Sequence, residues 1–161
     1  MNTNETYQRL IEMLNDAEAD YRLIDHAPEG QTEVVSQLRG HATREAAKCI
    51  IMIAKLGRKT TKYILGVVPG DRRISLSKVK ALLRATYIGF ASKDDAERLG
   101  GSAVGTILPF SFNSSLDLIV DPSVQESDII FFNAALLHRS IGLKTRDYFA
   151  IAKPSIESIA E

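Results

Sequence analysis

The sequence contains no tryptophan, one cysteine and five prolines, and its charges cancel, with 20 Lys plus Arg against 20 Asp plus Glu. Each shortage removes a class of protein. A lone cysteine cannot close an internal disulfide, so a disulfide-stapled scaffold is excluded. Five prolines and ten glycines in 161 residues are too few for a collagen-like or linker-rich chain. No apolar run approaches the ~20 residues that a bilayer span needs. The N-terminal segment MNTNETYQRL also lacks a basic start followed by an apolar stretch. These absences read as a cytoplasmic, bacterial-type protein with no membrane partner. What is present is 45% hydrophobic and 25% charged, the composition of a globular chain, in a length that suits one domain rather than two full cores.

The zero net charge hides an uneven distribution. Residues 1–47 carry four basic and nine acidic side chains, residues 48–84 ten and one, residues 85–133 two and seven, and residues 134–161 four and three. The second block is therefore nine charges positive over 37 residues. A folded protein with one electropositive face, suited to phosphates, would show this pattern. A solvated basic surface with acidic partners from elsewhere in the fold fits equally well.

Hydrophobic spacing outlines the elements. Tyr7, Leu10, Ile11 and Leu14 predict an amphipathic helix over 4–18 behind Thr3 or Asn4 as cap. Tyr21–Asp25 reads as a strand, Thr32–Arg39 as a short helix with Gly40 past its end, and Arg44–Ala47 as a further helical turn. Lys48–Leu56 is nearly continuous in apolar and β-branched residues, as in a strand buried on both faces, and pairs as a hairpin with Lys62–Val68 across the turn at Gly57–Thr61. A helix follows behind Ser75 or Ser77, then a strand at Tyr87–Ala91 and a helix capped by Ser92 and ending at Gly100. Leu116–Val120, Asp128–Phe132 and Ser140–Leu143 are strand candidates, and Thr145 is placed to cap a last helix. This alternation predicts a single domain of mixed α/β or α+β class.

Standard catalytic signatures are missing, among them Walker, dinucleotide, HExxH and GxSxG motifs and zinc spacings, and His26, His41 and His138 are far apart in sequence. Cys49, inside an apolar run, reads as a small core residue, with a nucleophile as the alternative. Two features carry more. Lys48 opens the most apolar strand on the face of Ile50, Met52 and Ala54; it either extends past the strand end into water or is held as a cation for a phosphate or carbonyl oxygen. Gly101, Gly105 and Pro109, spaced by four, give a segment whose backbone N–H groups are open to a ligand carbonyl, or a plain bend.

Ala46-Ala47-Lys48 at the strand start, Gly101-x-x-x-Gly105-x-x-x-Pro109 followed by Phe110-Ser111-Phe112, and Asn133-Ala134-Ala135 ahead of Ser140 together resemble the YbaK/prolyl-tRNA-synthetase-associated domain family, in order and spacing from His26 to Pro154. The resemblance implies a single YbaK-like domain over residues 1–161, with a central mixed or antiparallel sheet of six to seven strands and flanking helices. It implies a free-standing aminoacyl-tRNA deacylase that needs no cofactor or metal. Its partners would be the acceptor end of mischarged tRNA and an aminoacyl-tRNA synthetase. Lys48 matches the family lysine that contacts the terminal phosphate or the ester carbonyl, and Gly105–Pro109 matches the loop whose amides hold the aminoacyl group. Water, or the free hydroxyl of the terminal ribose, then completes ester cleavage. Gly101, Thr106, Pro109, Asn133, Ser140 and His26 follow as substrate-binding candidates, with His138 a weaker one. Lys55, Arg58, Lys59 and Lys62 are the candidate tRNA contacts. Ala135 stands where the family usually has glycine. The Pro-Phe-Ser-Phe ending is similar to that of members acting on serine and threonine, with alanine or cysteine as alternatives. A non-catalytic tRNA-, nucleotide- or protein-binding module of the same fold is the competing reading.

Overall fold

In the computed structural model, which describes residues 2–161, the elements run α1 (Thr3–Asp16), β1 (Tyr21–Asp25), α2 (Thr32–Arg39), a 3-10 turn (Thr43–Glu45), β2 (Ala47–Leu56) and β3 (Thr60–Pro69). They continue with α3 (Leu76–Leu83), β4 (Tyr87–Phe90), α4 (Lys93–Gly100), β5 (Leu116–Val120), a second 3-10 turn (Pro122–Glu126), β6 (Ile129–Leu136), β7 (Arg139–Lys144), α5 (Thr145–Ala152) and β8 (Ser155–Ile156). The mixed α/β class stands. The strands, however, lie in two sheets rather than one: an antiparallel sheet in the order β1-β7-β6 and a mixed sheet in the order β4-β2-β3-β5-β8. Among the described residues no helix is long and apolar enough to cross a membrane.

The period-2 alternation of the ten-residue strands β2 and β3 explains the layering. Ile51, Leu65 and Val67 face the three-stranded sheet, where they pack with Ile130, Phe132, Ile141 and Leu143, with Leu10 and Leu14 of α1 and with the fully buried Tyr148. Met52, Ala54, Ile64 and Val68 point the other way, against Val79 of α3 and Ile159 near the C-terminus. A strand with a core on each side must be apolar throughout, which is the run that the sequence shows.

Some boundaries moved for local reasons. The first helix is capped by Asn2, whose side chain accepts from the Glu5 N–H at 2.9 Å while the Glu5 carboxylate accepts from the Asn2 N–H at 3.3 Å. Thr145 is the first residue of α5 and not its cap; its hydroxyl donates to the Ser127 carbonyl at 2.5 Å. The strand read as Asp128–Phe132 runs on to Leu136 through a bulge between Asn133 and Leu136.

The C-terminal segment is tied down by a buried carboxylate. Asp121 Oδ1 accepts from the N–H groups of Ile159 at 2.9 Å and Ala160 at 2.8 Å, and Oδ2 accepts from the Ser123 N–H at 3.0 Å. Replacing Asp121 by alanine strands two buried N–H groups, at a cost of about 3 kcal/mol. Thermal unfolding of Asp121→Ala should therefore fall by roughly 6–12 °C. Asp121→Asn, which keeps one acceptor oxygen, should lose less.

Candidate active site

Lys48 pairs with Val68 next to the open end of the β2–β3 hairpin, where the strands leave the sheet. It lines two spaces at once: a cavity of about 70 Å³ toward α2 and β6, and a broader cleft toward α3 that Arg73 and Phe90 also line. The ammonium therefore neither extends freely into water nor sinks into the core. Burial holds its pKa below the usual lysine value, Arg73 adds to the shift, and Glu33 and Asp71 oppose it.

Five stretches of chain bound the small cavity, the first being Ala46–Cys49 at the start of β2. Gly30 and Thr32 come from the entry to α2, Arg39 from its last residue, Gly105 and Ile107 from the glycine segment, and Phe131 and Asn133 from β6. Its volume is far below the ~300–1,000 Å³ of sites that enclose drug-sized ligands, so only a small group enters it. Gly105 is held at φ 94°, and a Cβ there would stand 3.1 Å from the Gly30 Cα. Two backbones meet glycine to glycine at this wall, and no other residue type fits without moving one of them. The N–H groups of Gly105 and Ile107 donate to no protein acceptor among the described residues, so this loop offers free donors beside the cavity.

Asn133 fixes the β6 side of the cavity. Its side-chain N–H₂ donates to the carbonyls of Glu29 and Leu136, each at 3.0 Å, and its Oδ1 accepts from Arg39 Nη2 at 2.6 Å. The Arg39 Nε donates to Ser140 Oγ at 2.8 Å, and Ser140 is completely buried. Ser140 in turn bonds His26 Nε2 at 2.6 Å, and His26 Nδ1 lies 2.8 Å from the Ala27 carbonyl. Since a carbonyl only accepts, Nδ1 carries a hydrogen, and in the neutral ring Nε2 then accepts from the Ser140 hydroxyl.

Lys48, Gly105 and Asn133 are thus brought together on one cavity. The remaining sequence candidates lie outside its lining. Gly101, at φ 78°, ends α4, and its carbonyl accepts from the Thr6 hydroxyl at 2.7 Å. The Thr106 hydroxyl is spent on the Ala103 carbonyl at 2.6 Å, and the Pro109 carbonyl accepts from the Tyr148 hydroxyl at 2.7 Å. These three shape the glycine loop, while His26 and Ser140 stand behind Arg39. Lys55, Arg58, Lys59 and Lys62 cluster at the far end of the same hairpin, roughly 23 Å from Lys48 at ~3.3 Å per strand residue. Cys49 also lines the cavity, but burial pushes its thiol far above the usual value, which keeps it protonated and a poor nucleophile.

Arg39 was absent from the sequence candidates. At the end of a short helix before Gly40 it reads as an ordinary surface cation. The available signal was the lack of an acidic residue one turn away in either direction, where Val35, Ser36, Ala42 and Thr43 stand.

A model of the aminoacyl-tRNA editing domain matches residues 26–151. The multifunctional Ser/Thr-tRNA deacylase ProXp-y of Escherichia coli K12 is 36% identical over 152 residues, 94% of this chain and 90% of that protein. The chain belongs to the aminoacyl-tRNA editing domain family. A proline–tRNA ligase of Bacillus licheniformis is 27% identical over 124 residues, 76% of this chain but 19% of the ligase. The crystal structure of a candidate trans-editing enzyme for prolyl-tRNA synthetase superposes with a TM-score of 0.78 at 16% identity, covering 97% of both chains, and so shares the fold.

Two details of this editing domain follow from its geometry. Ala135 adopts φ 63° in the bulge of β6 and is almost fully buried. The loop keeps its left-handed turn without glycine, at a cost of order 1–2 kcal/mol that the surrounding hydrogen bonds and packing offset. Behind Phe131, His41 stacks on that ring at 3.9 Å between centroids, and its Nε2 lies 3.5 Å from Arg39 Nη1. Burial, assisted by the nearby Arg39 charge, holds His41 below its ordinary pKa of 6.5, against the opposing pull of the Ala42 carbonyl and Glu45.

The unfolded chain takes up a proton at His41 near pH 6.5 while the folded protein resists it. Stability should therefore fall as the pH drops below 6.5 and level off beneath the depressed folded value. Urea unfolding at a series of pH values should show this decline in the native protein and a shallower one in His41→Gln. Parallel declines would place the proton uptake elsewhere.

Proposed function

We propose that this protein is an aminoacyl-tRNA deacylase that acts in trans, hydrolysing the ester of mischarged tRNA and removing serine or threonine in preference to alanine or cysteine. The observation that carries the reading is the convergence of Lys48, Gly105 and Asn133 on a cavity of about 70 Å³, a size suited to a small side chain and its ester. The likeness to a Ser/Thr-tRNA deacylase over nine-tenths of that relative supports the substrate and the trans mode, since the match to the proline–tRNA ligase covers only a fifth of it.

An aminoacyl ester is already activated, so holding it and polarising its carbonyl supply most of what hydrolysis needs. Lys48, at the junction of cavity and cleft, takes the phosphate of the terminal nucleotide and so fixes the ester relative to the cavity. The free N–H groups of Gly105 and Ile107 donate to the aminoacyl group. Water attacks the carbonyl carbon, and its proton ends on the ribose oxygen as the ester bond breaks. His26 and Ser140 serve through the wall they support, as do Gly101, Thr106 and Pro109 through the loop. The basic hairpin tip, with Lys55, Arg58, Lys59 and Lys62, meets phosphates of the tRNA body away from the acceptor end. An aminoacyl-tRNA synthetase that releases the mischarged tRNA is the matching protein partner.

Two experiments test this. Incubated with Ser-, Thr-, Ala- and Cys-charged tRNAs, the protein should release serine and threonine fastest, and Lys48→Ala should lose at least about 100-fold in rate while its circular dichroism is unchanged. A protein that binds charged tRNA and releases nothing is a binding module instead. Replacing Lys55, Arg58, Lys59 and Lys62 together by glutamate should weaken binding to all tRNAs alike and flatten its dependence on salt. An unchanged salt dependence would place the tRNA on another face.

A further inference from the structure

Most cations of this protein are exposed. Arg39 differs, because it lines the small cavity while its guanidinium donates to two neutral acceptors, Ser140 Oγ and Asn133 Oδ1. It takes part in none of the ion pairs among the described residues, which join Arg72 to Asp121, Arg98 to Asp95 and Arg139 to Asp25. Burial alone lowers its pKa, to about 10, with no carboxylate acting against the shift, and at neutral pH it remains protonated.

We infer that Arg39 is a catalytic residue of the site, donating to the ester carbonyl oxygen as that oxygen becomes negative. This inference rests on the deacylase reading. A partly buried guanidinium without an anion is costly unless an anion arrives. A resident carboxylate would neutralise it permanently, whereas a neutral ester presents negative charge only during reaction. An interaction that strengthens in this way raises the rate rather than merely tightening binding. Two of the five N–H bonds of a guanidinium are committed to Ser140 and Asn133, and a third points at His41 Nε2 over 3.5 Å, so the remainder are free for the cavity. Both acceptors are nearly or wholly buried, so the fork is fixed before substrate arrives. Lys48, which also borders the outer cleft, is left for the phosphate.

The step balances without a further reagent. The water oxygen bonds to the carbonyl carbon, and the C=O π pair moves onto the oxygen facing Arg39. The pair then returns as the C–O bond to ribose breaks, and the ribose oxygen leaves with a proton from the water. The products are the free amino acid and the tRNA hydroxyl.

Steady-state kinetics on Ser-tRNA and Ala-tRNA, using the full chain and the variants Arg39→Gln and Arg39→Ala, test the assignment. The expected result is a kcat loss of about 10²–10³ by the same factor for both amino acids, with KM within about threefold. Guanidinium ion at tens of millimolar should restore part of the Arg39→Ala rate, including where that variant is destabilised. Retention of kcat in a folded variant, a change confined to KM, a loss confined to the hydroxyl-bearing amino acid, or no guanidinium rescue would each overturn it. A native protein inactive on every charged tRNA defeats the deacylase reading itself. Normal native activity with unaffected Arg39 variants defeats only this inference.

Discussion

The site depends on the hydrogen bonds of one carboxamide. Asn133 donates to the carbonyls of Glu29 and Leu136 and accepts from Arg39, so it joins the loop entering α2, the turn between β6 and β7, and the end of α2. Each bond alone is worth on the order of 1 kcal/mol, but together they set the distance between segments far apart in sequence. Gly30 can approach Gly105, and Arg39 can face the cavity, because that loop and helix end are pinned. The left-handed backbone at Ala135 belongs to the same arrangement, since it lies in the bulge across which the Asn133 side chain bonds the Leu136 carbonyl.

Around this junction the two sheets act as a frame. β2 and β3 are buried on both faces, which stiffens the strand that carries Lys48 and Cys49. The sheets meet at the bridge between Ala46 and Phe131, next to the cavity, and apolar packing from α1, α4 and Tyr148 closes the space behind it. The cavity is therefore a gap left where two sheets converge, and its small volume follows from that convergence. A gap of this origin has room only for a small group.

The chemistry suits such a frame. Among the described residues the cavity lining holds no histidine or carboxylate to serve as a base, and the one thiol on it is held neutral by burial. What it offers instead is fixed charge and fixed donors, with Lys48 at the junction with the cleft and Arg39 and the glycine loop on its lining. An already activated ester needs little more than orientation and stabilisation of a transient negative oxygen.

Local chemistry made much of this legible in the chain. β1, α2 and β5 follow directly from hydrophobic period and punctuation, and the β2–β3 hairpin follows from its apolar run and turn, because spacing and turn chemistry act over a few residues. Lys48 and Gly105 also stand out locally, as a charge at the head of an apolar strand and a glycine in a spaced series. The division of the strands into two sheets, the bulge that extends β6, and the separation of Gly101, Thr106 and Pro109 from the cavity depend on long-range packing that no local pattern encodes. Arg39 shows the difference most plainly. The sequence by itself determined that a cation ends α2; only the tertiary structure decided that it is turned inward without an anion, because Ser140 and Asn133, about a hundred residues away, supply the acceptors that hold it there.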